Sequence, residues 1–556
     1  MRQLEMADAM FVLTEQPSKN TQHIGMVFLF DPSEAGEPVT FDAILDLYRR
    51  RIPLARAFRE KLVKVPLDLD YPYWINDGDF DIEFHVRQAS VPAPGTREQF
   101  FALANQLMST PLDMSRPLWE TWFIDGLDAI DGVPPGSFAL LAKMHHAAVD
   151  GVSGMEMITA LLEDEDAAAA RMPTEPWEPE EAPDQRKLML RAIGANWSSP
   201  IKLGEALMRA VPAMTENRKR VKRGEVVKPP KNKAPKTRFN AAVTPHKVME
   251  GRSFDFAEVK RIKDAIPGAT VNDVVVAVVG GALRRYLTDK DELPEQSLVV
   301  SVPISVRTEA QKGSGGNQFS FAFVAAHTDI ADPVERVEAV GAAMRAVKEY
   351  NKAVDAQTLS KTTAAMPGML MGLAMRAMMK LPPNDLMLMS NAVVTNVPGP
   401  MQPMTLLGAR CVAGFAAGPS SDGIGLVHAI TSLSGILSIG FSACRELMPD
   451  PEFYGQCIEA SFDELADAIA GKAGATRPAP APKRAAAPAK TKPRAAKTPQ
   501  AKAPQAKSKS EKAQPAKTKS VRAKPEKSSA EKPPQAKARQ TKQGQSKPRS
   551  RSAPKG

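Results

Sequence analysis

The sequence predicts an α/β protein made of two globular blocks and a basic C-terminal tail. In residues 1–165 and again in residues 246–470, apolar runs of strand length alternate with segments whose apolar residues recur at helical spacing. The connection between these blocks, residues 166–245, is rich in proline and charge at both ends. Residues 471–556 contain 25 Lys/Arg, only 3 Asp/Glu and no aromatic residue, so we expect a disordered tail.

The charge and cysteine content narrow the class of protein. The formal charge is +10, but the tail contributes +22 and residues 1–470 carry −12, so the basic character belongs to the tail. The three cysteines form no CxxC pair, which favours neither a disulfide framework nor a thiolate zinc site and fits a reducing cytosol. The N-terminus lacks a signal-peptide pattern, and no apolar run approaches the ~20 residues that span a bilayer, so any membrane contact is expected to be peripheral.

In the first block, we expect strands at residues 24–30, 80–86 and 137–143, and helices at residues 41–51 and 97–108. The third strand leads into HHAAVDG (145–151), after which Met155, Ile158, Leu161 and Leu162 recur at helical spacing. The two histidines are therefore expected where a strand is followed by a helix, which is a common place for functional residues.

The connection is predicted to contain a helix from about Gln185 to Met214, interrupted near Ser199-Pro200. Residues 218–238 hold ten Lys/Arg and a single acid, Glu225. Such a segment is either a solvated linker or a surface that attracts phosphates or anionic lipid head groups.

In the second block, we expect helices at 256–265 and 274–287, the latter entered through Val271-Asn272-Asp273. Strands are expected at 297–307, 319–327 and 436–442, and a Gly-rich stretch occupies 414–425. The Met-rich segment 366–380 reads as a helix that is either core or a soft surface for acyl chains or a lipid interface.

The chemistry of the first block centres on the histidine pair. A neutral imidazole is a suitable general base near neutral pH. Asp150 is able to orient an imidazole or to brace the turn through an ion pair, and Gly151 suits a sharp backbone exit. A metal site and a hydrogen-bonded core remain alternatives, although neighbouring strand residues such as His145 and His146 point to opposite faces.

Other reaction classes lack their motifs. No GxSxG sequence is present, which argues against a serine acyl-enzyme. The GSGGN loop (313–317) has neither the Lys-Ser/Thr of a P-loop nor a GxGxxG register, so nucleotide hydrolysis and dinucleotide binding are poorly supported.

Several further motifs accompany HHAAVDG over residues 1–465. They are Asp8-Ala9 with HIG (23–25), FDIEFHVR (80–87), PLDMSRPLWE (111–120), TVNDVVVA (270–277), VPISVR (302–307), GNQFS (316–320) and NVPGP (396–400). As a set, they make the chain resemble the bacterial wax ester synthase/diacylglycerol acyltransferase family. Two features depart from or extend that pattern: Thr395 stands where many relatives have serine, and the 471–556 tail is additional.

This resemblance implies two chloramphenicol-acetyltransferase-like domains with mixed sheets and with the histidine motif at their interface. It also implies transfer of a fatty acyl group from acyl-CoA, as co-substrate, to a long-chain alcohol or diacylglycerol, with no cofactor and no metal. By the resemblance, His146 is the general base, Asp150 and Gly151 hold the motif's geometry, and the role of His145 stays open.

Three further residues are assigned on the same resemblance. Asn272 is a candidate polar contact near the reacting groups, and Arg307 is a candidate contact for a CoA phosphate. Trp119, in the PLW motif, is expected to be structural or to line a substrate tunnel.

The expected setting is the cytoplasm, with peripheral association to the inner membrane or to lipid inclusions. The tail resembles linker-histone tails, so its charge predicts salt-sensitive binding to nucleic acid or another polyanion. Two alternatives stay open: a condensation-type transferase that uses a carrier-protein thioester, and a non-catalytic polyanion- or lipid-inclusion-binding protein.

Overall fold

The two blocks contribute strands to one mixed sheet. In the computed structural model, the described residues are 1–15, 19–149, 153–162, 165–173, 177–224, 233–305, 319–353 and 388–472. Their strands are β1 Arg2–Gln3, β2 His23–Asp31, β3 Glu60–Val63, β4 Tyr73–Asn76, β5 Val86–Ser90, β6 Trp119–Asp125, β7 Phe138–His145, β8 Lys247–Asp255, β9 Val299–Ser305, β10 Phe319–Ala325, β11 Ala392–Pro398, β12 Thr405–Leu406, β13 Ala409–Ala417, β14 Leu426–Leu433 and β15 Ile436–Cys444.

The α-helices of the same residues alternate with these strands along the chain. They are α1 Met6–Thr14, α2 Phe41–Arg51, α3 Ile82–His85, α4 Arg97–Ser109, α5 Ser153–Leu162, α6 Glu165–Arg171, α7 Gln185–Lys222, α8 Phe256–Ala265, α9 Val271–Asp289, α10 Pro333–Ala353 and α11 Pro451–Lys472. None of these helices is both long and apolar enough to cross a membrane.

The sheet runs in the order β10-β9-β11-β14-β13-β2-β7-β6-β5, with β15 joining β14 to β8 and β12 beside β13. The seam between the two halves of the sequence is the antiparallel pair of β13 and β2. On its other side, β2 pairs with β7 in a register that sets His23 opposite His145. The strands β1, β4 and β3 form a separate small sheet.

Alternate residues of β2 and β7 enter two different cores. Phe28, Phe30 and Leu140 belong to one buried cluster, and Val27 and Leu141 belong to another, so both faces of these strands are covered. Burial on both faces keeps the two strands in register, because a slip by one residue would exchange the two sets of side chains.

Close packing at the start of β2 depends on a glycine. A Cβ atom on Gly25 would lie 2.5 Å from the Sδ atom of Met108, at the end of α4. Glycine therefore lets α4 pack directly on the strand that begins at His23.

The α/β class and most of the expected elements are confirmed. The helix at 41–51 has the expected limits, and the strands expected at 24–30, 137–143 and 436–442 correspond to β2, β7 and β15. The described residues fall within one compact unit that includes both expected blocks.

Two predictions are wrong. The expected strand at 80–86 begins as the helical turn α3, because the Asp81 side chain accepts a hydrogen bond from the backbone N–H of Glu83 and starts a helix. The expected interruption near Ser199-Pro200 is absent from α7, which continues from Gln185 to Lys222, because an internal proline is able to kink a helix without ending it.

Several predictions fall outside the described residues. They concern Asp150, Gly151, Arg307, the GSGGN loop, the Met-rich segment 366–380 and the tail from residue 473.

Candidate active site

The histidine pair lies where β7 ends, as expected. His145 is the last residue of β7, and His146 opens a short 3₁₀ turn, His146–Ala148. The helix α5 follows from Ser153. The backbone thus changes direction directly at the two imidazoles.

The buried His145 is hydrogen-bonded through one ring nitrogen and lies beside a carboxylate with the other. Its Nδ1 atom accepts a hydrogen bond of 3.1 Å from the backbone N–H of Ala147, which places the ring proton on Nε2. That Nε2 atom lies 3.4 Å from Oε2 of Glu15. The geometry therefore makes His145 a brace for the turn that carries His146.

Glu15, which was not predicted from the sequence, lies between His145 and His23. It follows α1, its side chain is only 6% exposed, and its Oε1 atom lies 3.6 Å from Nε2 of His23. Burial raises the pKa of Glu15, but hydrogen-bonding contacts with His145 and then His23 outweigh it and hold the pKa below its usual range. The carboxylate is thus charged between two imidazoles.

His23 is the partner of His145 across the β2–β7 pair. It is fully buried, and burial lowers its pKa to about 4; the contact with Glu15 opposes this shift, and the charges of Lys247 and Lys143 add to it. At neutral pH, His23 is therefore an uncharged neighbour of the Glu15 carboxylate.

His146 is held by its backbone and by its ring face. Its N–H donates to the carbonyl of Gln22 at 2.8 Å, and its ring stacks on Phe11 with centroids 3.8 Å apart and planes 11° from parallel. Its Nδ1 atom is buried and makes no hydrogen bond to another described residue.

Burial lowers the pKa of His146 to about 4; its own backbone carbonyl opposes the shift, and the neighbouring His145 adds to it. The imidazole is therefore neutral at physiological pH. A neutral, oriented imidazole is able to accept a proton from a hydroxyl group.

The second half of the chain reaches the site through Lys247. This buried residue of β8 donates from Nζ to the carbonyl of Thr21 at 2.8 Å. Burial lowers its pKa to about 8, and Glu15 opposes that shift. Because Thr21 precedes Gln22, which accepts the N–H of His146, the contact braces the segment that positions the histidine.

Trp119 is a core residue beside the motif. Its indole N–H donates to the carbonyl of Phe58 at 2.9 Å, and its own carbonyl accepts a 2.7 Å hydrogen bond from Nδ1 of His85, whose ring stacks on the indole. The PLW and FDIEFHVR motifs are thereby joined in one packed group.

Trp119 also lines an apolar cavity of about 30 Å³. The lining residues come from β2, α2, β6, β7, α5 and β12 and the segment before β3: Phe28, Phe30, Tyr48, Phe58, Trp119, Thr121, Leu140, Ala142, Met144, Met157, Ile158, Leu161, Leu162 and Leu406. Met144 immediately precedes His145, so the strand and the helix on either side of the motif both border this space. It is too small for a fatty acyl chain unless side chains move.

Asn272 lies on the other half of the chain, in the first turn of α9. That turn is fixed by Thr270 and Asp273, which cap each other's backbone N–H groups at 3.2 and 2.9 Å. Asn272 is half-buried, and no hydrogen bond joins it to His145 or His146. Its role near the reacting groups therefore stays a prediction.

No three His, Cys, Asp or Glu side chains converge as a metal site within the part of the chain that the structure describes. The histidine pair instead contacts a carboxylate, a phenyl ring and backbone groups, as described above.

Solved structures with the same fold define the class of protein. The chain is similar to the first condensation domain of the calcium-dependent antibiotic synthetase, with 14% identity, 84% of this chain and 97% of that chain covered, and a TM-score of 0.51, which shows the fold alone. It is also similar to the wax ester synthase/diacylglycerol acyltransferase from Marinobacter aquaeolei VT8, with 25% identity, 84% and 99% coverage, and a TM-score of 0.58. The similarity to the Marinobacter enzyme identifies this chain as an O-acyltransferase.

The family follows from the sequence comparisons. Residues 4–275 match the wax ester synthase/diacylglycerol acyltransferase catalytic domain, and residues 315–466 match the WS/DGAT C-terminal domain. A Mycobacterium tuberculosis protein named as a diacylglycerol O-acyltransferase is 31% identical over 477 residues, which is 84% of this chain and 91% of that protein. The chain belongs to the wax ester synthase/diacylglycerol acyltransferase family.

Proposed function

We propose that this O-acyltransferase moves a fatty acyl group from acyl-CoA to the hydroxyl group of a long-chain alcohol or a diacylglycerol. The names of the similar proteins support this choice of acceptors. The observation that carries the proposal is the enclosed imidazole of His146 at the end of β7, stacked on the ring of Phe11.

In the proposed step, His146 takes the hydroxyl proton as the acceptor oxygen attacks the thioester carbonyl. Since Nδ1 is buried, Nε2 is the nitrogen proposed to take this proton. The tetrahedral intermediate collapses with formation of the ester and cleavage of the C–S bond, and the departing thiolate receives the proton from His146. A thiol with a pKa of about 8.5 leaves readily, so no covalent enzyme intermediate is needed.

The other residues act by positioning. His145 braces the turn, and the Glu15 carboxylate lies beside its Nε2 atom. We keep Asp150 and Gly151 as the residues that shape the motif. The assignments of Asn272 to a polar contact near the reacting groups and of Arg307 to a CoA phosphate also belong to this proposal.

Purified protein incubated with palmitoyl-CoA and, separately, hexadecanol or diacylglycerol tests the proposal through product analysis. His146→Ala should lower turnover by roughly 10²–10⁴-fold, as expected for loss of a general base. His327→Asn is a matched control, because His327 has φ of 51° on the other half of the chain, a conformation that asparagine tolerates. Near-normal turnover of the His146→Ala variant would refute the assignment.

The acyl donor that the protein accepts distinguishes this proposal from the two alternative functions. A condensation-type transferase would use a carrier-protein thioester in preference to acyl-CoA, and the likeness to a condensation domain supports that alternative at the level of fold only. A non-catalytic binding protein would form no ester from either donor. Parallel assays with the same acyl group on CoA and on a carrier protein separate the three outcomes.

We also propose that the enzyme works in the cytoplasm at the surface of the inner membrane or of lipid inclusions, where its apolar acceptors gather. The +22 charge of residues 471–556 supports binding to polyanions, including anionic lipids and nucleic acid. Deleting residues 473–556 should leave turnover on dispersed substrate intact and lower binding to DNA or anionic vesicles at low salt. Unchanged binding would show that the tail charge is not used.

A further inference from the structure

The helix α7 has apolar side chains on two opposite sides. On one side, Leu188 and Ala192 are buried in a cluster with residues of the small sheet, such as Tyr73 and Ile75. Near them, the side-chain amide of Asn196 donates to the carbonyl of Leu69 at 2.7 Å. These contacts attach the first part of α7 to the protein.

The other side of α7 presents apolar side chains to solvent. Leu190 is 67% exposed, Ile193 50%, Trp197 88%, Met208 74% and Val211 54%. Leu190 and Met208 are 18 residues apart, as are Ile193 and Val211, which is five helical turns. At about 100° per residue, all five side chains fall within about 60° of the helix circumference. We call these five residues the α7 stripe.

An exposed apolar row of this length requires a partner, because apolar surface is stabilised when it leaves water. Its aromatic member, Trp197, has an indole N–H beside an apolar ring system. That combination suits the boundary between lipid head groups and acyl chains.

The charge of α7 identifies the partner. The helix contains nine Lys/Arg and two Asp/Glu. Exposed basic residues lie at both of its ends, Arg186 and Lys187 at the start, and Lys219 and Lys222 at the finish. Two copies of the helix would bring like charges together in either a parallel or an antiparallel arrangement, whereas an anionic lipid surface is complementary to both ends.

We propose that the α7 stripe docks this enzyme on an anionic phospholipid surface, with the helix lying in the plane of the interface. In this position, the five apolar side chains enter the head-group boundary, and the basic residues at both ends contact lipid phosphates. The choice of a lipid surface rests on the proposed function, since the proposed acceptors are lipids. Binding by the stripe is a separate property from acyl transfer and from the charge of the tail.

Flotation of the full-length protein with vesicles of phosphatidylcholine and phosphatidylglycerol tests the proposal. The stripe variant is Leu190→Ser/Ile193→Ser/Trp197→Ser. The control is Phe321→Ser/Met389→Ser/Met401→Ser, which removes three exposed apolar side chains elsewhere. The experiment is run at about 0.5 M salt, because screening then weakens binding by the tail while apolar insertion persists.

The stripe variant should bind roughly 10- to 100-fold more weakly than the wild type, and the control variant should bind like the wild type. Lipids with a quencher near the head group should quench tryptophan fluorescence of the wild type. Trp197→Phe should keep vesicle binding and lose most of this quenching. Equal binding of the stripe variant and the wild type would overturn the proposal.

Two other outcomes would also overturn it. A change in oligomeric state of the stripe variant would identify the stripe as an interface between copies of the chain. A lower Tm of that variant would show that the stripe packs against the protein itself. Turnover of palmitoyl-CoA with a short, water-soluble alcohol is measured in parallel and should be unchanged, so failure of the acyltransfer proposal is distinguished from failure of lipid docking.

Discussion

The substitution Glu15→Gln removes the negative charge of the side chain but keeps nearly the same size and shape. It therefore tests what the charge of Glu15 contributes to the site. In the wild type, the carboxylate lies 3.4 Å from Nε2 of His145 and 3.6 Å from Nε2 of His23. Both distances exceed the roughly 2.7–2.9 Å of strong charge-assisted hydrogen bonds. The lost interaction should therefore be at the lower end of the usual range, about 1–2 kcal/mol.

If that energy positions the turn that carries His146, kcat/KM should fall roughly 5- to 30-fold in Glu15→Gln, since 1.4 kcal/mol corresponds to about a factor of ten. The free energy of unfolding should fall by about the same 1–2 kcal/mol at neutral pH. Glu37→Gln, at an exposed position, is the matched control and should change neither quantity.

The pH dependence of unfolding tests whether charge is responsible. Folding lowers the pKa of Glu15 below its ordinary 4.5, so its stabilisation is fully present above about pH 4.5 and is lost as the pH falls further. Urea denaturation of the wild type and Glu15→Gln should therefore show a stability gap that narrows on acidification. Wild-type turnover in Glu15→Gln, together with a gap that does not depend on pH, would refute the reasoning.

Three further predictions follow from burial and packing. Because the pKa of His146 is about 4, kcat/KM should stay level through the neutral range and fall only as the pH approaches 4; an inflection near pH 6.5 would contradict this. Burial lowers the pKa of Lys247 from 10.5 to about 8, so the free energy of unfolding of the wild type should rise as the pH increases from about 8 to 10.5. Lys247→Met should abolish this rise, which urea denaturation at a series of pH values would measure. Gly25→Ala should lower the free energy of unfolding by about 1 kcal/mol, since its Cβ must displace the thioether end of the Met108 side chain, whereas Gly36→Ala, with open space around it, should not change it.

Local patterns in the sequence were sufficient to predict the surroundings of His145 and His146. The strand before them and the helix after them each show their own periodicity, and both are observed as β7 and α5. Glu15 and Lys247 carry no such pattern. They reach the site through contacts between distant parts of the chain, and no local spacing encodes those contacts.

The strand β13 shows a second limit of sequence reasoning. Its sequence, ARCVAGFAA, is rich in small residues, and only Gly414 to Ala417 fall within the expected Gly-rich stretch 414–425. It lies between β2 and β14 and is buried along most of its length, so it lacks the alternation of polar and apolar residues that marks a half-exposed strand. The seam between the two halves was therefore not predictable from periodicity.

This seam explains why the histidine motif depends on both halves of the chain. Without β13, strand β2 would have an unpaired edge beside the histidines. Without Lys247, the carbonyl of Thr21 would lose its buried donor, next to the residue that accepts the N–H of His146. The motif supplies the imidazole proposed as the base, and α1 and the C-terminal half hold the residues that position it. We therefore expect that breaking the contact between Lys247 and Thr21 lowers the rate of acyl transfer, even though every residue of the motif is intact.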